Sequence, residues 1–249
     1  MQLIVNNLGQ EVQDVLRLVC ERLIESYSST RALIFIGSRA EGESQKNSDL
    51  DIVWVHNRSF SRYKIYELSE GFLPEVQIVP LTKKSINEHF RFSTTMAHSI
   101  QKGIVLFDPN NYMGPYLSRQ LTIPSREWIK NWFHHWEVFY RGGQRERRRN
   151  IGIHRKYCGE EYYCIIPNYL ARACVNFAIL YLELNGIIPT TKKQIVSAFL
   201  NLGRAKVVAG LKAAFITYRE DREMNWEEGE VVAKTAMWLR GRLRQRLKG

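Results

Sequence analysis

Two carboxylates one residue apart, Asp49 and Asp51, stand ten residues after a Gly-Ser pair, Gly37-Ser38. The pair itself follows a short apolar run, Arg-Ala-Leu-Ile-Phe-Ile at 31–36, as a buried strand would read. Each part has a chemical use. Gly37 permits a tight turn with close backbone approach, and Ser38 adds a hydroxyl and an N–H. Such a turn can hold phosphate oxygens through backbone donors. On a strand, residues separated by two point to one face, so Asp49 and Asp51 would share it. Two carboxylates beside a phosphate-holding turn suit Mg²⁺, a hard cation that takes a few carboxylates plus substrate phosphates. Two such ions can clamp an in-line phosphoryl displacement. The plainer alternative is a surface loop in which both acids are solvated strand ends.

The wording Gly-Ser-Arg-Ala-Glu-Gly at 37–42, followed by Asn-Ser-Asp-Leu-Asp at 47–51, resembles the DNA polymerase β-like nucleotidyltransferase superfamily. Gly37, Ser38, Asp49 and Asp51 match its signature residue by residue. The resemblance implies an α+β core with a mixed sheet and flanking helices. It implies binding of a nucleoside triphosphate, ATP by preference, at Gly37, Ser38, Arg39 and Ser48. It also implies Mg²⁺, most simply two ions, on Asp49 and Asp51. The family usually carries a third Asp or Glu on the next strand, completing the metal site and helping to deprotonate the acceptor.

That third strand is Glu-Val-Gln-Ile-Val-Pro at 75–80, and here the chain departs from the pattern. The best register puts Gln77 at the third position, between Val76 and Ile78. Glu75 lies two residues earlier and faces the same side. Either Glu75 substitutes with a shift of about 7 Å along the strand, or the third carboxylate is absent. A neutral amide cannot act as a base and binds Mg²⁺ weakly. Glu75 is therefore carried beside Asp49 and Asp51 as the third catalytic residue, with Gln77 as the competing reading.

The elements that must position these residues are legible on both sides. Residues 10–27 carry Val12, Val15, Leu16, Val19 and Leu23 on a helical stripe. A second strand over about 49–55 alternates Leu50, Ile52 and Trp54 with Asp51, Val53 and Val55, which predicts a sheet buried on both faces except where the acids emerge. A connector or short helix spans 58–70. One or two helices follow over 82–102, with Ser85 or Ser93-Thr94 as caps. Ile104–Phe107 reads as a last strand. His89 and His98 fall on the helical region and read as packing or surface residues.

The chain has 249 residues, of which 45% are hydrophobic, enough for a packed core and against disorder. No apolar run approaches the roughly 20 residues that span a bilayer, and the N-terminus lacks a secretory pattern. The four cysteines, Cys20, Cys158, Cys164 and Cys174, show no zinc spacing and read as reduced thiols of a cytoplasmic protein. Residues 1–124 hold 13 Lys/Arg and 13 Asp/Glu, whereas residues 125–249 hold 23 and 12, so the whole excess of +11 sits in the second half. Turn-rich text at 109–124 makes a linker between a core at 1–108 and a basic α-helical bundle at 125–249.

In the bundle, Ser125 caps a helix to about Arg141, which Gly142-Gly143 would break or bend. Further helices are expected over 169–184, 191–201, after Gly203, and from about Trp226 to the end. The alternating tail Arg240, Arg242, Arg244, Arg246 and Lys248 reads as charge spread around the last helix. The helical half resembles, weakly, HEPN-type bundles and the helical domain of aminoglycoside nucleotidyltransferases. The run Arg141–Lys156 could contact nucleic-acid phosphates, with Trp128, Trp132, Phe139, Tyr140 and Tyr157 as stacking rings. Arg149-Asn150-x-x-x-His154 matches the local text of HEPN ribonucleases.

These observations converge on transfer of a nucleoside monophosphate to an acceptor hydroxyl with release of pyrophosphate. The acceptor, a small molecule, a protein or an RNA end, would lie between core and bundle. A nucleotide-binding or antitoxin-like module with little turnover, and a ribonuclease in the helical half, are the competing expectations. No membrane partner is expected, and a homodimer stays open.

Overall fold

The computed structural model describes residues 8–44, 48–57, 62–157, 168–220 and 226–248. The chain divides into two compact units, Met1–Thr122 and Ile123–Gly249. The first is α+β and the second is helical. Among the described residues no helix is long and apolar enough to cross a membrane.

The first unit is built on a four-stranded sheet. Helix α1 (Gln10–Ser26) leads into β1 (Thr30–Ile36) and β2 (Leu50–His56). Helix α2 (Arg62–Ser69) then connects to β3 (Val76–Thr82). Two short helices, α3 (Lys83–Arg91) and α4 (Thr95–Lys102), precede β4 (Ile104–Phe107) and a one-turn helix α5 (Gly114–Leu117). The strand order is β3-β2-β1-β4, with β1 antiparallel to both neighbours and β2 parallel to β3.

Both faces of the sheet are covered, as the alternation on the second strand predicts. Leu33, Phe35, Leu50, Ile52, Trp54, Val76 and Ile78 pack with the apolar stripe of α1. Ala32, Ile34, Ile36, Val53, Val55 and Leu81 pack with Ile86 and Phe90 of α3 and Ala97 and Ile100 of α4. Two helices, not one, fill 82–102, because each has its own cap. Thr82 Oγ1 accepts from Ser85 N at 3.2 Å, so Thr82 and not Ser85 caps α3. Thr94 Oγ1 accepts from Ala97 N at 3.3 Å and also meets His89 Nδ1 at 2.9 Å, which fixes His89 as a packing residue. His98 Nε2 meets the Thr122 carbonyl at 3.0 Å.

The second unit contains α6 (Arg126–Tyr157), α7 (Asn168–Glu183), α8 (Lys192–Asn201), α9 (Ala205–Glu220) and α10 (Trp226–Lys248). Ser125 Oγ caps α6 by accepting from Trp128 N at 3.2 Å. Helix α6 runs unbroken through Gly142-Gly143, so of the expected break or bend the break does not occur. The reason is packing: a Cβ on Gly143 would stand 2.9 Å from both Leu170 N and Leu170 Cβ of α7. The glycine lets two backbones approach, and burial against α7 offsets its low helix propensity.

A second correction concerns the arginine tail of α10. It is not simply solvated. Arg240 Nε and Arg244 Nε each donate at 2.8 Å to Glu137 Oε1 of α6. Arg246 Nη1 donates to Asn185 Oδ1 at 2.6 Å, and Arg242 lies 5.5 Å from the Trp238 ring centroid. Helix α10 packs against α6, α7 and α9, so charges spread around it meet protein on several sides.

Candidate functional site

Strand β1 ends at Ile36, and the chain turns at Gly37, whose φ is +84°. L-residues with a Cβ rarely adopt this region. The turn then winds up compactly. Glu41 N donates to Gly37 O at 3.0 Å, and Glu43 N donates to Ser38 O at 2.7 Å. Ile36 is the antiparallel partner of Asp51, so the turn and the carboxylate lie at the same end of the sheet. A Cβ on Gly37 would overlap Asp51 Oδ2 and stand 3.4 Å from Asp51 Cγ. The two halves of the sequence signature are thus in contact, and the glycine is required twice, for its φ and for the space that Asp51 fills.

Arg39 and Ser48 join the loop to the strand. Arg39 Nε donates to the Ser48 carbonyl at 2.7 Å, and Ser48 is buried. Arg39 thereby acts as a strut holding the segment that delivers Asp49. One pair was not legible in the sequence. Lys102 Nζ at the end of α4 lies 3.4 Å from Glu41 Oε2, tying the Gly-Ser loop to the helix beyond the sheet. Sixty-one positions separate the two, and no local pattern links them.

The third strand settles a register. On the parallel β2–β3 ladder Asp51 pairs with Gln77, and Leu50 pairs with Val76. The Glu75 carbonyl accepts from Leu50 N at 2.8 Å, so Glu75 stands one step before the strand, at the level where Asp49 precedes β2. By alternation Asp51 and Gln77 belong to the same sheet face as Val53, Val55 and Leu81, and Asp49 and Glu75 each immediately precede those strands. Glu75 and Gln77 are exposed, and Asp49 and Asp51 are half-buried.

Among the described residues no group of three or more His, Cys, Asp or Glu side chains gathers into a metal cage. The donor set at Asp49 and Asp51 still fits Mg²⁺, which completes its shell with waters and substrate phosphates rather than with an all-protein cage. Cavities of about 460 Å³ along α3 and about 370 Å³ beside Arg126 and Arg246 are lined by none of these residues. An open loop that presents backbone donors to a phosphate need not form an enclosed pocket.

The other reactive groups lie elsewhere. Cys20 and Cys174 are buried free thiols, and burial pushes the Cys20 thiol up to about 12. Cys158 and Cys164 lie outside the described residues, as do Asn47 and the side chains of Arg149, Asn150, His154, Arg155, Lys156 and Tyr157. Of the remaining basic run, Arg147 pairs with Glu230 and Arg141 with Glu137, whereas Arg145 and Arg148 are exposed. The tryptophans sit on another flank of α6. Trp132 and Trp136 stack at 6.3 Å, Trp136 meets Phe139 at 5.0 Å, and Phe139 meets Tyr169 of α7 at 5.5 Å. Among the described residues, the row Trp132, Trp136 and Phe139 thus packs toward Tyr169, whereas Tyr140 meets Arg240 of α10 at 5.0 Å.

Residues 16–100 match the family described as a nucleotidyltransferase domain, about a third of the chain. Comparison with curated proteins returns no match. Among solved structures, a spectinomycin adenyltransferase from Enterococcus faecialis, determined with ATP and spectinomycin, is 12% identical. That match covers 94% of this chain and 97% of the other, with a TM-score of 0.50. A nucleotidyltransferase-like protein from Exiguobacterium sibiricum is 12% identical over 94% of this chain and 75% of its own, with a TM-score of 0.38. A toxin–antitoxin structure with AMP-PNP is 16% identical over 43% and 78%, with a TM-score of 0.30. The adenyltransferase match supports the architecture of an α+β core followed by a helical region.

Proposed function

We propose, from the premise that residues 16–100 are a nucleotidyltransferase domain of the DNA polymerase β-like type, that this protein transfers a nucleoside monophosphate from ATP to an acceptor hydroxyl. The observation that carries the reading is the contact between Gly37 and Asp51, which sets the Gly-Ser turn against a strand-end carboxylate.

In this reading the backbone N–H groups of the turn at Gly37-Ser38 hold the triphosphate. Arg39, braced on Ser48, keeps that turn and the approach to Asp49 in fixed relation. Asp49 and Asp51 would hold Mg²⁺ against the phosphates. The ion supplies charge neutralisation for the departing pyrophosphate when bound. The acceptor oxygen forms its bond to the α-phosphorus as the bond to the β-phosphate oxygen breaks, and pyrophosphate leaves with that electron pair. Glu75, exposed at the level of Asp49, takes the acceptor proton. Most of the catalysis is positioning and electrostatics. A small molecule, a protein and an RNA end each offer such a hydroxyl.

The experiment is Mg²⁺-dependent transfer of label from α-labelled ATP, compared among wild type, Asp49→Asn and Asp51→Asn. Both variants should lose transfer by at least a hundredfold. Transfer at the wild-type rate in both would exclude this site.

The pairing of Asp51 with Gln77 favours a second reading, a nucleotide-binding module with little turnover, because an amide stands where a carboxylate would sit beside Asp51. Micromolar MgATP binding without release of pyrophosphate, in the presence of varied hydroxyl acceptors, would select it.

A further inference from the structure

Helices α6 and α10 run antiparallel along one seam. Arg126 Nη2 donates to the Arg246 carbonyl at 2.6 Å at one end, and Arg147 pairs with Glu230 at the other. Midway, Glu137 is only 5% exposed, and three arginines surround it. Arg240 Nε and Arg244 Nε both donate to Oε1 at 2.8 Å, and Arg141 Nη2 donates to Oε2 at 3.3 Å.

Among the described residues, the cluster sets one carboxylate against three guanidinium groups, an excess of two positive charges within it. Arg240 and Arg244 spend Nε on Glu137, so their Nη amino groups stay available to a further acceptor. Arg240 also lies 5.0 Å from the Tyr140 ring centroid, which limits its rotation. Arg141 and Arg244 are 60% and 43% exposed at the side chain. The cluster is held in place from below and open above.

The α6 sequence extends it. Positions 126, 130, 137, 141 and 148 recur at spacings of four and seven, one stripe of a helix. Arg126, Lys130, Arg141 and Arg148 on that stripe are exposed cations. We infer that the α6–α10 seam is a contact surface for the phosphate backbone of a double-helical nucleic acid.

Guanidinium groups suit phosphate because their donors match its oxygens in pairs. A backbone-only mode fits, since the ring row of Trp132, Trp136 and Phe139 is on the α7 flank of α6 and not on the seam. Recognition would then follow groove spacing and charge rather than stacked bases. The inference is independent of the nucleotidyltransferase site, because every residue it uses belongs to the second unit.

The test is fluorescence anisotropy of a labelled 20-base-pair RNA duplex and the matching DNA duplex with the full chain, titrated at salt between 50 and 200 mM. Six phosphate contacts correspond to a slope of log affinity on log salt of about −5. The double variant Lys130→Gln, Arg148→Gln should flatten the slope by about 2 and weaken binding at least tenfold. Arg204 and Arg242 lie 5.6 Å and 5.5 Å from the Trp238 ring centroid, and Arg204→Gln, Arg242→Gln, which changes the same charge, should leave binding within twofold. Unequal affinity for the two duplexes identifies which backbone geometry fits. Equal losses from both double variants, or no duplex binding at low salt, overturn the proposal. So does binding to phosphatidylserine vesicles in the absence of duplex binding.

Discussion

Asp51 and Gln77 are register partners on the parallel β2–β3 ladder. The residue beside Asp51 is therefore an amide, and the nearest acid, Glu75, stands one step before β3 at the level of Asp49. In this arrangement Glu75→Gln should lower kcat by about 10²–10⁴-fold with little change in the dissociation constant for MgATP. Adding Gln77→Glu to that variant should not restore the rate, because the new carboxylate is displaced by about 7 Å along the strand. Single-turnover transfer and calorimetric MgATP binding check both points. Full restoration would move the working position to 77.

Gly37→Ala combines two penalties, a left-handed φ of +84° and a Cβ that overlaps Asp51. The backbone part alone costs about 1–2 kcal/mol. The first unit should melt several degrees lower, and MgATP binding should weaken at least tenfold as Asp51 is pushed aside. A circular-dichroism melt and calorimetry measure these. A variant with native MgATP affinity would show that the Gly37–Asp51 contact is not needed for binding.

The adjacent glycines of α6 separate by site. Gly143→Ala should destabilise the helical unit by about 1–3 kcal/mol, since its Cβ would meet Leu170 at 2.9 Å. Gly142→Ala should stabilise by about 0.5–1 kcal/mol, because its nearest contact is 4.0 Å away on the Tyr169 ring. Urea titration of the two variants against wild type decides, and effects of the same sign would contradict the unbroken packing of α6 on α7.

Glu137 carries a pH signature. Burial raises its pKa, but hydrogen bonds and charge from Arg244 and Arg240 outweigh this and hold it below its ordinary value of 4.5. The unfolded chain therefore binds more protons in acid than the folded one. The stability Glu137 contributes is complete above about pH 4.5 and is lost as pH falls through the lowered value. Glu137→Gln should destabilise the helical unit at pH 7 by about 1–3 kcal/mol and flatten the decline below pH 4.5. Melts from pH 7 to pH 3 test both.

His89 gives the corresponding signature in the first unit. Burial lowers its pKa below 6.5, outweighing the opposing charge of Glu88. Folding then disfavours the protonated ring, so stability is complete above about pH 6.5 and falls as the pH drops toward the lowered value. His89→Gln keeps a polar partner for Thr94 and should remove that part of the decline, read as melting temperature between pH 7.5 and pH 5.

Sequence by itself determined the local content of this protein. The stripe of α1, the two-sided apolar alternation of β2 and the turn demanded by Gly37 follow from periodicities and φ preferences within a few residues. What depended on the tertiary structure is every relation between segments distant in the chain. The parallel register fixed Gln77, not Glu75, beside Asp51. The approach of Leu170 turned Gly143 from an apparent helix break into a packing contact. Glu137 drew Arg240 and Arg244 inward, although their spacing alone suggested solvated charges. In each case the deciding energy is a contact between elements, which intrinsic propensity does not contain and which overrides it once the elements pack.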